Sequence, residues 1–110
     1  MLTLKDAIAI NEEFHDGKVA NKSSLEFALG YAKRTSNWTK ALAYIVRAIL
    51  IDHVFEDGNK RTAAAIILTE AYVQGFTVNK DKLARLVERV LRKNITNVQE
   101  IEELIKDVID

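Results

Sequence analysis

His53, Asp57, Lys60 and Arg61 fall inside the nonapeptide HVFEDGNKR, residues 53 to 61, so a base, a carboxylate and two cations share one short segment. His53 is the only side chain there that takes up a proton near neutral pH without a large pKa shift, which makes it the candidate general base. Asp57 offers a hard oxygen to Mg2+, an ion that keeps several waters and binds through one or two carboxylates plus phosphate oxygens. Glu56 is the rival ligand, and spacing alone does not choose between them. Gly58 and Asn59 permit the positive φ or tight turn in which main-chain N–H groups form an anion-binding nest. Lys60 and Arg61 add fixed positive charge, and the arginine fork grips two phosphate oxygens at once. Phe55 has no polar task and is expected to anchor the segment in the core.

Two apolar segments must position these groups. ALAYIVRAILI, residues 41 to 51, is nearly all apolar and predicts a buried helix. TAAAIILTEAYVQG, residues 62 to 75, predicts a second helix closed by Gly75. The nonapeptide therefore sits at a helix N-terminus, where the first backbone N–H groups lack internal partners and carry partial positive charge. That suits a phosphate. Asp-Gly-Asn is also the ordinary punctuation of turns and caps, and each residue taken singly is structural more often than not. Jointly, and placed between two apolar helices, they reverse that balance, because few structural loops need a base, a carboxylate, a glycine turn and two cations together.

The nonapeptide resembles the active-site motif of the Fic/Doc (Fido) family, His-x-Phe-x-Asp/Glu-Gly/Ala-Asn-Gly/Lys-Arg, at His53, Phe55, Asp57, Gly58, Asn59, Lys60 and Arg61. It is most similar to the Doc, or "death on curing", toxin branch. Lys60 stands where the AMP-transferring branch has a second glycine, and Ala64 where that branch usually has another arginine. SSLEFAL, residues 23 to 29, looks like a Leu-Glu-x-Ala-Leu segment of the same family, so the resemblance spans roughly residues 20 to 78.

The resemblance implies a compact all-α bundle of about six helices with a short β-hairpin flap around residues 31 to 37. It also implies ATP and Mg2+ as cofactors, with Asp57 on the metal and Phe55, Gly58, Asn59, Lys60 and Arg61 around the nucleotide. His53 would deprotonate an incoming Ser or Thr hydroxyl, and in the Doc branch the γ-phosphate is what transfers. The implied target is a translation factor of the EF-Tu class, inactivated by phosphorylation so that translation stops. AMP transfer to protein, or a nucleotide- or antitoxin-binding module without turnover, are the alternatives. Fido proteins are restrained by a Ser/Thr-x-x-x-Glu-Gly/Asn helix whose glutamate pairs with the motif arginine, here Arg61. The nearest internal approach, Thr96 to Glu100, is followed by Ile101 where Gly or Asn is expected. A separate small antitoxin carrying that helix is therefore the expected partner.

Composition bounds the rest. A chain of 110 residues is expected to fold as one domain, residues 1 to 110, burying roughly 65% of the surface its unfolded form exposes. Sixteen basic and sixteen acidic residues cancel, which argues against a nucleic-acid partner. Without cysteine there is no disulfide, thiol catalysis or Cys-based zinc site. The N-terminus lacks the pattern of a signal peptide, and the longest apolar run, broken by Arg47, falls short of the ~20 residues that span a bilayer. A cytoplasmic protein with no membrane partner is expected.

Along the chain, Thr3 is expected to cap a helix with apolar face Leu4, Ala7, Ile8 and Phe14, ended by Gly17. Ser23 with Glu26, and Thr96 with Gln99, read as capping boxes. Trp38 opens the buried helix on Leu42, Ile45, Val46, Ile49 and Leu50. Asn79 caps a helix on Leu83, Leu86, Val87, Val90 and Leu91, and the last helix is apolar at Val98, Ile101, Leu104, Ile105 and Val108. Arg85, Arg89, Arg92 and Lys93 form a stripe read as a solvated face, with Glu88 pairing to Arg92. His15 reads as a surface residue before a turn. Tyr31 and Tyr44 are placed either against an adenine or in core and rim packing.

Overall fold

The structure, a computed structural model, describes residues 2 to 109. Among them six helices follow one another: α1 (Leu4–Glu12), α2 (Lys22–Arg34), α3 (Trp38–Leu50), α4 (Asn59–Val73), α5 (Lys80–Arg92) and α6 (Val98–Val108). This is the expected all-α bundle. Only two isolated antiparallel bridges, Val19 to Phe55 and Val78 to Ile109, break the helical pattern among the described residues. No described helix is long and apolar enough to cross a membrane.

The bundle forms around α3, which packs against α2, α4, α5 and α6. Leu42, Ile45, Val46, Ile49 and Leu50 are all fully buried, as their spacing predicts. Against them lie the apolar stripes of α5 (Leu83, Leu86, Val87, Val90) and α6 (Ile101, Ile105, Val108). Each of these side chains contributes about 1.5–3 kcal/mol by leaving water. A central helix so buried fixes where its last turn ends, and the nonapeptide begins three residues later.

Capping is almost entirely the work of asparagine. Asn21, Asn37, Asn79 and Asn97 each accept a hydrogen bond from the backbone N–H three residues on. The boxes expected at Ser23–Glu26 and Thr96–Gln99 do not form, because Asn21, two residues before Ser23, and Asn97, one residue after Thr96, are the caps and reach the free N–H groups of Ser24 and Glu100 instead. Thr3 does cap α1, with Asp6 returning the bond, and those same bonds hold the Asp6 carboxyl below its usual range.

The hairpin flap around 31 to 37 is absent: residues 31 to 34 are the last turn of α2, leaving a three-residue link to α3. The helix runs on past Gly30 because Ala32 is buried and Tyr31 packs on Tyr44 with ring centroids 4.2 Å apart, while Lys33 and Arg34 suit a helix C-terminus. A terminal helix turn that buries side chains on its neighbour outweighs the weak local preference against it. At the other end, α1 stops at Glu12, so Phe14 lies beyond it and Gly17, at φ +75°, shapes the linker and not the helix end.

Candidate active site

The turn between α3 and α4 is made by two residues in the left-handed region, His53 at φ 51° and Gly58 at φ 77°. Glycine occupies that region freely, whereas histidine is held there by its surroundings. Those surroundings are tight. The linker between α1 and α2 runs alongside, with Ala20 and Asn21 donating to the Val54 carbonyl and Glu56 N–H donating to the Lys18 carbonyl. Val54 and Phe55 are buried, so Phe55 is the anchor its type suggests. Asn59 clamps the turn from within, its Oδ1 accepting from Phe55 N–H at 3.0 Å and its Nδ2 donating to Phe55 O at 2.9 Å.

A second clamp comes from α1. Asn11 is fully buried, donates to the Asp57 carbonyl and the Thr62 hydroxyl at 3.0 Å each, and accepts from Gly17 N–H at 2.9 Å. A side chain at position 58 would bring its Cβ within 3.1 Å of Asn11 Nδ2 and 3.3 Å of His15 Cβ. Gly58 is thus required twice, by its φ and by this close approach.

Around the turn opens a cleft of about 570 Å3, lined by His53, Glu56, Asp57, Gly58, Asn59, Lys60 and Arg61 together with Phe14, His15, Leu50 and Leu91. Its size lies in the range of small-molecule sites. Every polar residue singled out in the nonapeptide lines it, and Phe55 lies in the core beneath. The helix starts at Asn59, three residues earlier than its apolar period indicates, so Asn59, Lys60 and Arg61 form its first turn and Asn59 is helical, not a positive-φ turn residue. No side chain caps this helix, and the first main-chain bond is Thr62 N–H to Gly58 O. The N–H groups of Asn59, Lys60 and Arg61 therefore have no protein partner among the described residues. Gly58 N–H differs from the expected nest, since the Asp57 carboxylate folds back to accept from it at 2.7 Å.

The charged groups show what each is free to do. Arg61 is exposed and has no carboxylate within 4.0 Å among the described residues; Glu100, on the first turn of α6, is not paired with it. Lys60 is engaged, its Nζ 3.1 Å from Glu88 Oε1 of α5. This pair corrects the expected Glu88–Arg92 contact, because a side chain on a neighbouring helix comes closer than one a turn away. Arg85, Arg89, Arg92 and Lys93 are exposed. Asp57 keeps one oxygen outward, and its side chain is 73% exposed. No group of three or more His, Asp or Glu side chains able to hold a metal occurs among the described residues. The donor set fits Mg2+ only as Asp57 sharing the ion with phosphate oxygens, and Glu56, exposed on the same rim, stays the rival.

Four cleft residues, Phe14, His15, Leu50 and Leu91, lie outside the nonapeptide. His15 brings Nε2 within 3.9 Å of Asp57 Oδ2 and 3.8 Å of Asp16 Oδ2, so it belongs to the site. Both histidines of the chain line this one cleft. Phe14 and Leu91 supply apolar wall. Tyr31 and Tyr44 do not line it: they pack on each other, with Arg47 5.1 Å over the Tyr44 ring. No family model, curated protein or solved structure matches the chain.

Proposed function

We propose that this protein is a Doc-like phosphotransferase that moves the γ-phosphate of ATP onto a Ser or Thr hydroxyl of a protein target. The single observation carrying this reading is the uncapped N-terminus of α4 opening into a cleft that also holds His53, Asp57, Lys60 and Arg61. An uncapped first turn, a carboxylate and an arginine with no carboxylate partner among the described residues form a phosphate grip; a histidine on the same rim adds a base. Few purely structural turns combine these.

Phosphates would lie against the N–H groups of Asn59, Lys60 and Arg61, with the Arg61 fork on outer oxygens. Asp57 would hold Mg2+, which when bound neutralises phosphate charge. His53 accepts the proton of the incoming hydroxyl at its free ring nitrogen as that oxygen forms its bond to phosphorus; ADP leaves with the electrons of the broken bond. The rest of catalysis is positioning: the Asn11 and Asn59 clamps hold Asp57 and the first turn of α4 in a fixed relation, so little reorganisation is left to the reaction. The Lys60–Glu88 pair favours one rival, AMP transfer, because the side chain that stands where the AMP-transferring branch has a glycine is already engaged on α5.

The target class remains a translation factor of the EF-Tu kind. A small antitoxin helix is the proposed partner, since no glutamate pairs with Arg61 among the described residues and the arginine would offer its cation to one supplied in trans. The test is His53→Ala with γ-labelled ATP. Transfer should fall about 10²-fold or more, with the melting temperature and Mg2+·ATP binding by calorimetry nearly unchanged. Wild-type rates in a folded His53→Ala protein would remove His53 from its role, and ATP binding without transfer by the wild type would leave a binding module.

A further inference from the structure

Among the described residues five large apolar side chains stay exposed, Phe14, Phe27, Tyr72, Val73 and Phe76, and of these Phe14 alone lines the cleft. Phe27 sits edge-on to Tyr44 at 6.4 Å, and Phe76 stacks on Trp38 at 5.8 Å. Phe14 has no aromatic neighbour among the described residues and leaves 39% of its surface open. Its root is nonetheless fixed. Phe14 N–H donates to Asn11 O at 2.9 Å, on the residue that clamps the turn, and Phe14 Cβ lies 3.9 Å from the Cβ position that Gly58 lacks. A rigidly rooted, unpaired aromatic ring thus stands beside the phosphate-facing turn, and Leu50 and Leu91 add apolar surface to the same cleft.

We propose that Phe14 is the stacking platform for the nucleobase of the bound nucleoside triphosphate, a subsite adjoining the first turn of α4. The assignment rests on reading that turn as the phosphate site. A flat aromatic face offers the base what the polar floor cannot, and stacking on it lowers the exposure that Phe14 otherwise keeps. Because every base has a π-face, such a platform binds through stacking and not through a hydrogen-bond pattern. The aromatic contact for the nucleotide therefore comes from the α1–α2 linker and not from Tyr31 or Tyr44.

Calorimetry with Mg2+ and either ATP or inorganic tripolyphosphate separates base from phosphate, using wild type, Phe14→Ala and Phe14→Trp, each checked for an unchanged thermal melt. Phe14→Ala should bind ATP about five- to a hundred-fold more weakly while binding tripolyphosphate as wild type does, and Phe14→Trp should restore ATP binding. Unchanged ATP affinity in Phe14→Ala, or an equal loss for both ligands, would overturn the base assignment. Wild type binding tripolyphosphate as tightly as ATP would also overturn it while leaving the phosphate site standing. Wild type binding neither ligand would overturn the phosphate site and this subsite together.

Discussion

The last two turns of α3 and the turn that follows them are contiguous in sequence and opposite in physical character. Ile45, Val46, Ile49 and Leu50 are fully buried in ordinary helical geometry, whereas residues 53 to 58 carry two left-handed backbone positions and expose His53, Glu56 and Asp57. The helix gains stability from burial. The turn gives some of it up, since a histidine at positive φ costs free energy. Such a division is expected where a site is mounted on a rigid scaffold: the helix sets the stability of the fold, and the turn carries the proposed chemistry.

The largest effect is expected on the helix side. Ile49→Ala should cost about 2–5 kcal/mol through lost burial and a cavity, read by denaturant unfolding, while any folded fraction at low temperature keeps its affinity for Mg2+·ATP. A loss of affinity matching the loss of stability would mean that the two regions are not separable. Gly58→Ala lies on the boundary and should damage both. Its φ and the contact with Asn11 should cost about 1–3 kcal/mol, and displacement of Asp57 should weaken ATP binding as well. An alanine variant with normal melting and binding would show that the approach of α1 to the turn is not restrictive.

Farther along α4, Glu70 is 5% exposed, and burial pushes its carboxyl above the ordinary range. Raised in the folded state, this group binds its proton more tightly folded than unfolded. Its contribution to stability is therefore full below the unfolded carboxylate pKa and is lost as pH rises through the higher folded value. Glu70→Gln should melt higher than wild type at pH 7, show no such gain near pH 4 and leave transfer activity alone. A lower melting point at pH 7 would reveal a stabilising partner for the charged form. The smallest effect belongs to Glu88→Gln. Exposed ion pairs contribute about 0–1 kcal/mol, so releasing Lys60 should tighten Mg2+·ATP binding by no more than about fivefold. Weakened binding would instead make Glu88 part of the nucleotide site.

How much was legible in sequence follows the same divide. The apolar periods of α3, α5 and α6 translate directly into buried faces, because helix periodicity is a local property. HVFEDGNKR likewise announced the polar lining of the cleft from types and spacing. Asn11 and His15 were not legible as site residues, since their meaning arises from contacts with Asp57 across more than forty positions; the Asn11 bond alone spans 46. Phe14 looked like helix face until α1 ended two residues before it. Residues 31 to 34 failed in the opposite sense: their polar composition reads as a loop, but packing of Tyr31 and Ala32 on α3 keeps them helical.

The central claim is that the turn after α3 transfers a terminal phosphate. Purified protein incubated in a translation extract with ATP labelled at either the α- or the γ-position tests it most directly, with His53→Ala as control. With wild type, γ-label is expected on a protein band of the elongation-factor class and no α-label, and with His53→Ala neither label. Transfer of α-label would contradict γ-phosphoryl transfer in favour of AMP transfer, and no His53-dependent label from either nucleotide would contradict catalysis at this turn.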